Sequence, residues 1–244
     1  MIAFTAKERD PDLRTYLLGR VEFNALIRSQ ERLAYEVAGG NFGALIVCDH
    51  PTGITIGREG SRLHVRPDPE ELREREWPLH WVSRGGGAML HLPGQIACYP
   101  ILPLDRLNLT PAAFLETVQQ LIMDLLKKYE LPGEIDREQP GIRVRGRRIA
   151  HVGFAIRNWV SRFGIVLNVD PDLELFYNIH CDGDPSPMTS LQRETTSRIR
   201  IAEVRQRLAA MMAERFGFDR ISPFHHLPGH PARSKHHAAS PASR

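Results

Sequence analysis

The chain has 244 residues, 42% of them hydrophobic and 25% charged, with a net charge of +3 at pH 7. That composition supports one large buried core. It argues against a nucleic-acid partner, because the arginines are spread along the chain rather than gathered in one basic run. No apolar run reaches membrane-spanning length, and the first ten residues lack the apolar core of a signal peptide. The three cysteines, Cys48, Cys98 and Cys181, include no CxxC pair. This speaks against a disulfide framework and a zinc site, and for a reducing, cytoplasmic setting.

Taken in order, residues 13 to 38 read as a helix, with Leu13, Leu17, Val21, Leu26, Leu33 and Val37 near helical spacing and Gly39-Gly40 as the stop. Ala44 to Cys48 is a continuous apolar run, the pattern of a buried strand. The segment Ile54 to Arg58 is expected to return as its hairpin partner across Asp49-His50-Pro51-Thr52-Gly53. Residues 61 to 77 are polar and proline-bearing, a surface loop with a short helix. Thr110-Pro111 opens the clearest helix, since threonine can cap and proline is preset for a first turn. Its stripe is Phe114, Val118, Leu121, Ile122, Leu125 and Tyr129. Residues 141 to 169 read as a meander of closely connected strands. A loop from Asp170 then carries Ile179-His180-Cys181-Asp182-Gly183. Ile201 to Phe216 is the second clear helix, ended by Gly217. From residue 223 Pro, Ser, Ala and His dominate, so residues 223–244 are expected to be a disordered tail behind a domain of residues 1–222. Helices beside a largely antiparallel, mixed sheet make the fold class α+β.

The stretch Arg84-Gly85-Gly86-Gly87-Ala88-Met89-Leu90-His91-Leu92-Pro93-Gly94-Gln95 stands apart, flanked by strand-like Leu79–Ser83 and Ile96–Leu102. Consecutive glycines let backbone approach a ligand closely, and exposed N–H groups beside a fixed arginine charge can grip a carbonyl or phosphate. A plain glycine-rich turn has the same spelling.

Three segments read together resemble one family. RGGGAMLHLPGQ resembles the RGG-x-x-T-Y-H-G-P-G-Q signature of the octanoyltransferases of lipoate biosynthesis, which share a superfamily with lipoate–protein and biotin–protein ligases. GRRIAHVGFAIR resembles that family's G-R-K-I-A-x-x-G-x-x-x-R, and SRFGIVLNVDPDLELF its S-x-H-G-x-A-L-N-V-x-x-D-L-x-x-F. Asp49-His50-Pro51 and Thr55-Ile56-Gly57-Arg58 are similar to its early E-H-P and T-x-G-R elements. The resemblance implies a biotin/lipoate ligase catalytic-domain fold. It also implies transfer of an octanoyl group from acyl carrier protein to a lysine of lipoyl domains, those of 2-oxoacid dehydrogenase complexes or the glycine cleavage H protein. A cysteine thioester would be the intermediate, without a cofactor, a metal or a membrane.

The same resemblance implies the site residues. A neighbouring cation would lower the pKa of the attacking thiol. The family's lysine falls on Arg148, which keeps the charge but cannot serve as an acid–base group. Counting from Phe176 and Ile179, the family's nucleophile falls on Asp182, with Cys181 where the family has proline. The family's histidine in S-x-H-G is Phe163 here, and Leu90 and Leu92 flank His91 in place of tyrosine and glycine. The implied catalytic set is therefore Cys181, Asp182 and Arg148. In one version Cys181 moves into place by a one-residue loop shift, activated by Arg148 or His180; in another the slot persists without transfer, as a binder of acyl chains or lipoyl domains. An ATP-dependent ligase is disfavoured, because such ligases need lysine at position 148. The implied substrate-binding set is Arg84, Gly85, Gly86, Gly87, Ala88, Met89, Leu90, His91, His151, Val152, Gly153, Gly164, Ile165 and Val166.

Overall fold

The computed structural model describes residues 12–228. Strand β1 (Asp12–Arg20) leads into α1 (Phe23–Gly39), followed by β2 (Phe42–Asp49) and β3 (Gly53–Ile56). A 3-10 turn at Arg62–His64 precedes α2 (Pro69–Glu74), which Asp68 and Glu71 close with a reciprocal capping box. Strands β4 (Leu79–Trp81), β5 (Ala88–His91) and β6 (Gln95–Ile101) come next, then α3 (Pro111–Lys127), whose cap Thr110 accepts from the Ala113 N–H. The meander is β7 (Gly133–Asp136), β8 (Gly141–Val144), β9 (Arg147–Arg157) and β10 (Val160–Asn168). Two 3-10 turns (Leu173–Asn178 and Cys181–Gly183), α4 (Leu191–Glu194), α5 (Ile201–Arg215) and β11 (Arg220–Phe224) complete the described chain.

The strands form an eight-stranded sheet in the order β11-β1-β2-β6-β10-β9-β8-β7 and a three-stranded sheet β4-β3-β5. In the large sheet β1 runs parallel to both β2 and β11, and the other neighbours are antiparallel. The fold is α+β with a mixed, largely antiparallel sheet, as the sequence implied. Helices α3 and α5 cover one face, where Phe114, Leu121, Val204 and Leu208 meet Ile149, Val152 and Ile165. Helix α1 covers the other, with Leu26, Leu33 and Val37 over Ile46, Tyr99 and Val166, joined by Met89 from the small sheet. A third apolar cluster sits under the small sheet and includes Ile54, Ile56, Leu90, Phe176 and Cys181.

Three expectations change. Residues 12–20 are strand, not the start of α1. This strand is covered on both faces, so it lacks clean alternation, and Leu13 and Leu17 also satisfy a helical spacing. β2 and β3 are not a hairpin. Both edges of β2 are taken by β1 and β6, so β3 departs to pair with β4 and β5. His50 occupies the crossing, its Nδ1 2.6 Å from the Val21 carbonyl and its Nε2 2.8 Å from the Tyr99 hydroxyl. The boundary at residue 222 falls inside β11, whose Phe224 stacks on Tyr16 at 4.9 Å; residues 229–244 of the expected tail lie outside the described residues. No described helix is long and apolar enough to cross a membrane.

Candidate active site

The site is built where the β4–β5 loop meets the 3-10 turn at Cys181–Gly183. Arg84 is buried in that loop. It donates from Nη2 to the Thr55 carbonyl (3.2 Å), the Thr55 hydroxyl (2.9 Å) and the Gly87 carbonyl (3.0 Å), and from Nη1 to the Gly85 carbonyl (3.0 Å). All its acceptors are neutral, so its charge stays available to its surroundings. Two glycines are required by close approach. A Cβ on Gly87 would lie 2.7 Å from the Asp182 Cα, and one on Gly153 would lie 2.9 Å from the Gly85 carbonyl oxygen.

The loop's N–H groups are not free to grip a ligand, contrary to the sequence expectation. Gly85 donates to the Phe154 carbonyl (2.9 Å), Gly86 to Glu59 (2.9 Å) and Gly87 to Asp182 Oδ1 (2.6 Å). The last bond joins the glycine loop to the segment around position 181, so these distant stretches do converge.

Asp182 takes a left-handed backbone conformation (φ 54°), which turns its carboxylate inward. Its Oδ2 accepts from Arg148 Nη1 at 3.0 Å and from His151 Nδ1 at 3.0 Å. Arg148 is 0% exposed and also donates through Nη2 to Asp136 (2.9 Å) and Asp184 (3.2 Å). Arg143 donates to the same two carboxylates. Two guanidinium groups thus hold three carboxylates, and the nearby Arg84 charge offsets the remaining negative one. Burial alone would raise the Asp182 carboxyl. The hydrogen bond from His151 and the charges of Arg84 and Arg148 outweigh it and hold the group at about 2. Burial pulls His151 down, although Asp182 pulls the other way, so the imidazole is neutral near pH 7. Its Nε2 is buried and has no hydrogen-bond partner among the described residues.

Cys181 does not occupy that position. Its side chain is 0% exposed in the apolar cluster beneath the small sheet, and burial pushes the thiol up to about 12. The expectation of an activated thiolate at Cys181 gives way to geometry: neighbouring residues in this turn point apart, and Asp182 is the one that faces Arg148. His180 likewise turns away and contacts Arg66 at 3.0 Å.

Strand alternation sorts the remaining residues. In the paired strands β9 and β10, Val152 and Ile165 belong to the helix-side cluster, on the face away from His151 and Asp182. Val166 lies on the opposite face, with His151 directly across from it in register, and Gly153 approaches the Arg84 loop. Gly164 pairs with Gly153, and a Cβ there would strike the Cys98 carbonyl at 2.1 Å. On β5, Ala88 and Leu90 pack with Cys181 beneath the small sheet, whereas Met89 packs with the α1-side cluster of the large one. His91 bonds Thr55 Oγ1 through Nε2 (3.0 Å) and is pushed well below the ordinary histidine range by burial. Its ring lies 5.2 Å from Phe23 and 5.3 Å from His50, lining a cavity of about 110 Å³ with Thr52, Pro78 and His80. The sequence reading missed Asp136, Arg143, Asp184 and Glu59, and placed Thr55 in a motif without a role. Thr55 carried a local signal in its motif; Asp136 and Arg143 become partners through the β7–β8–β9 pairing, and Glu59 through a turn that meets the glycine loop.

Residues 25–213 match the lipoyl protein ligase A/B catalytic domain. The chain belongs to that family. An octanoyltransferase of Syntrophobacter fumaroxidans is 33% identical over 204 residues, covering 83% of this chain and 90% of its own. One from Chloroflexus aggregans is 32% identical over 209 residues, covering 84% and 95%. Among solved structures, a lipoate-protein ligase A bound with ATP superposes with a TM-score of 0.67 at 18% identity, covering 88% of each chain. A bi-partite lipoate protein ligase from Thermoplasma acidophilum gives 0.66 at 16%, covering 88% and 87%. Those two likenesses speak for the fold. In this lipoyl protein ligase A/B member the glycine loop and the turn at Asp182 form a closed, charge-balanced junction on the inner face of the large sheet.

Proposed function

We propose that this protein is an acyltransferase of lipoate biosynthesis. It moves an octanoyl group from the thioester of octanoyl-acyl carrier protein to a lysine of a lipoyl domain, in the cytoplasm. The observation that carries the reading is the 2.6 Å bond between Gly87 and Asp182. With the bonds from Arg148 and His151 to the same carboxylate, it supports one site assembled from the glycine loop, the segment 146–157 and the turn at Asp182, in a chain 33% identical to an octanoyltransferase. The small cavity lined by Phe23, Ile54, Pro78 and His91 offers apolar surface for the acyl chain. Arg84 supplies a buried positive charge for oxygen that becomes negative as the thioester is attacked.

The test incubates the full chain with octanoyl-acyl carrier protein and a lipoyl domain, read by intact mass. A lipoyl domain heavier by one octanoyl group, lost when its acceptor lysine is replaced, is the expected result. An unmodified domain at high enzyme concentration overturns the reading.

A further inference from the structure

The junction holds a histidine that the resemblance gave no chemical role. His151 sits on the inner face of β9 with Nδ1 against the Asp182 carboxylate at 3.0 Å. An ionised carboxylate only accepts, so Nδ1 carries the proton and Nε2 presents its lone pair. Asp182 is itself fixed by the Gly87 N–H and by Arg148, which sets the ring's orientation. Nε2 has no partner among the described residues although it is buried. His91 Nδ1 is likewise buried without a partner among the described residues, but its ring leans on the Thr55 hydroxyl; at His151 a carboxylate orients the ring, and its lone pair marks where a donor from outside would be welcome.

The alternatives in the same turn are poor nucleophiles. The Cys181 sulfur is sealed in the apolar cluster. The Asp182 carboxylate is spent on three donors. What remains is a carboxylate-oriented neutral imidazole, and its chemistry is proton transfer.

We propose that His151 Nε2 is the general base for the acceptor lysine, oriented by Asp182, and that the octanoyl group passes directly from thioester to amine without an acyl-enzyme. This rests on the octanoyl-transfer reading. The neutral lysine amine attacks the thioester carbonyl and forms the C–N bond. Nε2 takes the proton the nitrogen sheds. The C–S bond breaks, and the imidazolium returns that proton to the departing thiolate. The products are the octanoyl amide and the free thiol of the carrier, with no oxidant or further reactant. Asp182, Arg148, Arg84 and His91 are the ionisable groups around the imidazole. Burial lowers its pKa, so the base is in its active form at neutral pH.

The experiment uses the full chain with octanoyl-acyl carrier protein and a lipoyl domain. Expected are intersecting initial-rate lines when both substrates are varied, no octanoyl adduct on the enzyme during turnover, and unchanged transfer in Cys181→Ala. His151→Ala should lose kcat by roughly 10²–10⁴-fold, with KM for both substrates within a few-fold and partial rescue by added imidazole. Asp182→Asn should shift the acid limb of the kcat–pH profile. Nitrogen NMR of the His151 ring should show an unprotonated Nε2 in the wild type, a reading that does not depend on activity or on either variant folding. The proposal is overturned by an octanoyl thioester that forms and decays at the turnover rate, by parallel lines, by His151→Ala retaining its rate, or by an Nε2–H tautomer. Absence of any octanoyl-lipoyl product with the wild type instead overturns the transferase reading, and the base assignment with it.

Discussion

Asp182 carries a negative charge into a place where side chains are almost fully enclosed, and Arg148 is what makes that tolerable. Arg148 touches Asp136, Asp182 and Asp184 at once. Replacing it with Met leaves three carboxylates facing one another with only Arg143 among them. The expected cost is about 3–5 kcal/mol of folding stability, read as a lower urea midpoint. Replacing only Asp182 with Asn is milder, because the amide keeps an acceptor for Gly87, and the combined change should cost less than the sum of the singles. The carboxyl is held at about 2, below its unfolded value near 4, so its ionised form stabilises the fold at neutral pH. That contribution, roughly 2 kcal/mol, is complete above pH 4 and disappears as pH falls toward 2. Stability measured from pH 6 downward should drop more steeply in the wild type than in Asp182→Asn. Identical acid limbs would contradict the assignment. None of this pairing was written in the local sequence. Arg148 and Asp182 were legible as departures from a motif, but the motif could not say that they face each other, nor that His151 completes the set.

Elements built on short-range chemistry were the most readable. Helix α3 begins where Thr110-Pro111 predicts, with the Thr110 hydroxyl accepting from the Ala113 N–H at 3.2 Å. Thr110→Ala should cost about 1 kcal/mol in chemical denaturation without changing transfer, since the helix packs on the face away from the junction. The element that misled was β1, because burial on both faces erases the alternation that distinguishes strand from helix. The supposed β2–β3 hairpin failed for a different reason. A turn sequence reports that the chain reverses, not which neighbours the two strands will find, and β2 had neighbours from far away in the sequence. Strand alternation, which a motif does not carry, puts Val152 and Ile165 on the helix side of the sheet, opposite His151 and Val166.

Across the whole molecule, the α+β class and its ligase-like sheet were recoverable from ordered motifs, whereas the edge strand β11 straddles the boundary at residue 222 that composition suggested. β11 pairs in parallel with β1 and presses Phe224 onto Tyr16. Ending the chain at Asp219 should expose the β1 edge, lower the melting temperature by roughly 5 °C or more, and raise light scattering on heating. An unchanged melt would mean the strand is dispensable. The parallel pairing also fixes a direction of travel. β1 runs from Asp12 toward Arg20, the end from which Val21 and Phe23 reach His50 and His91, and β11 follows it from Arg220 to Phe224. β11 therefore ends level with Tyr16, part-way along β1 toward the rim that carries His50 and His91.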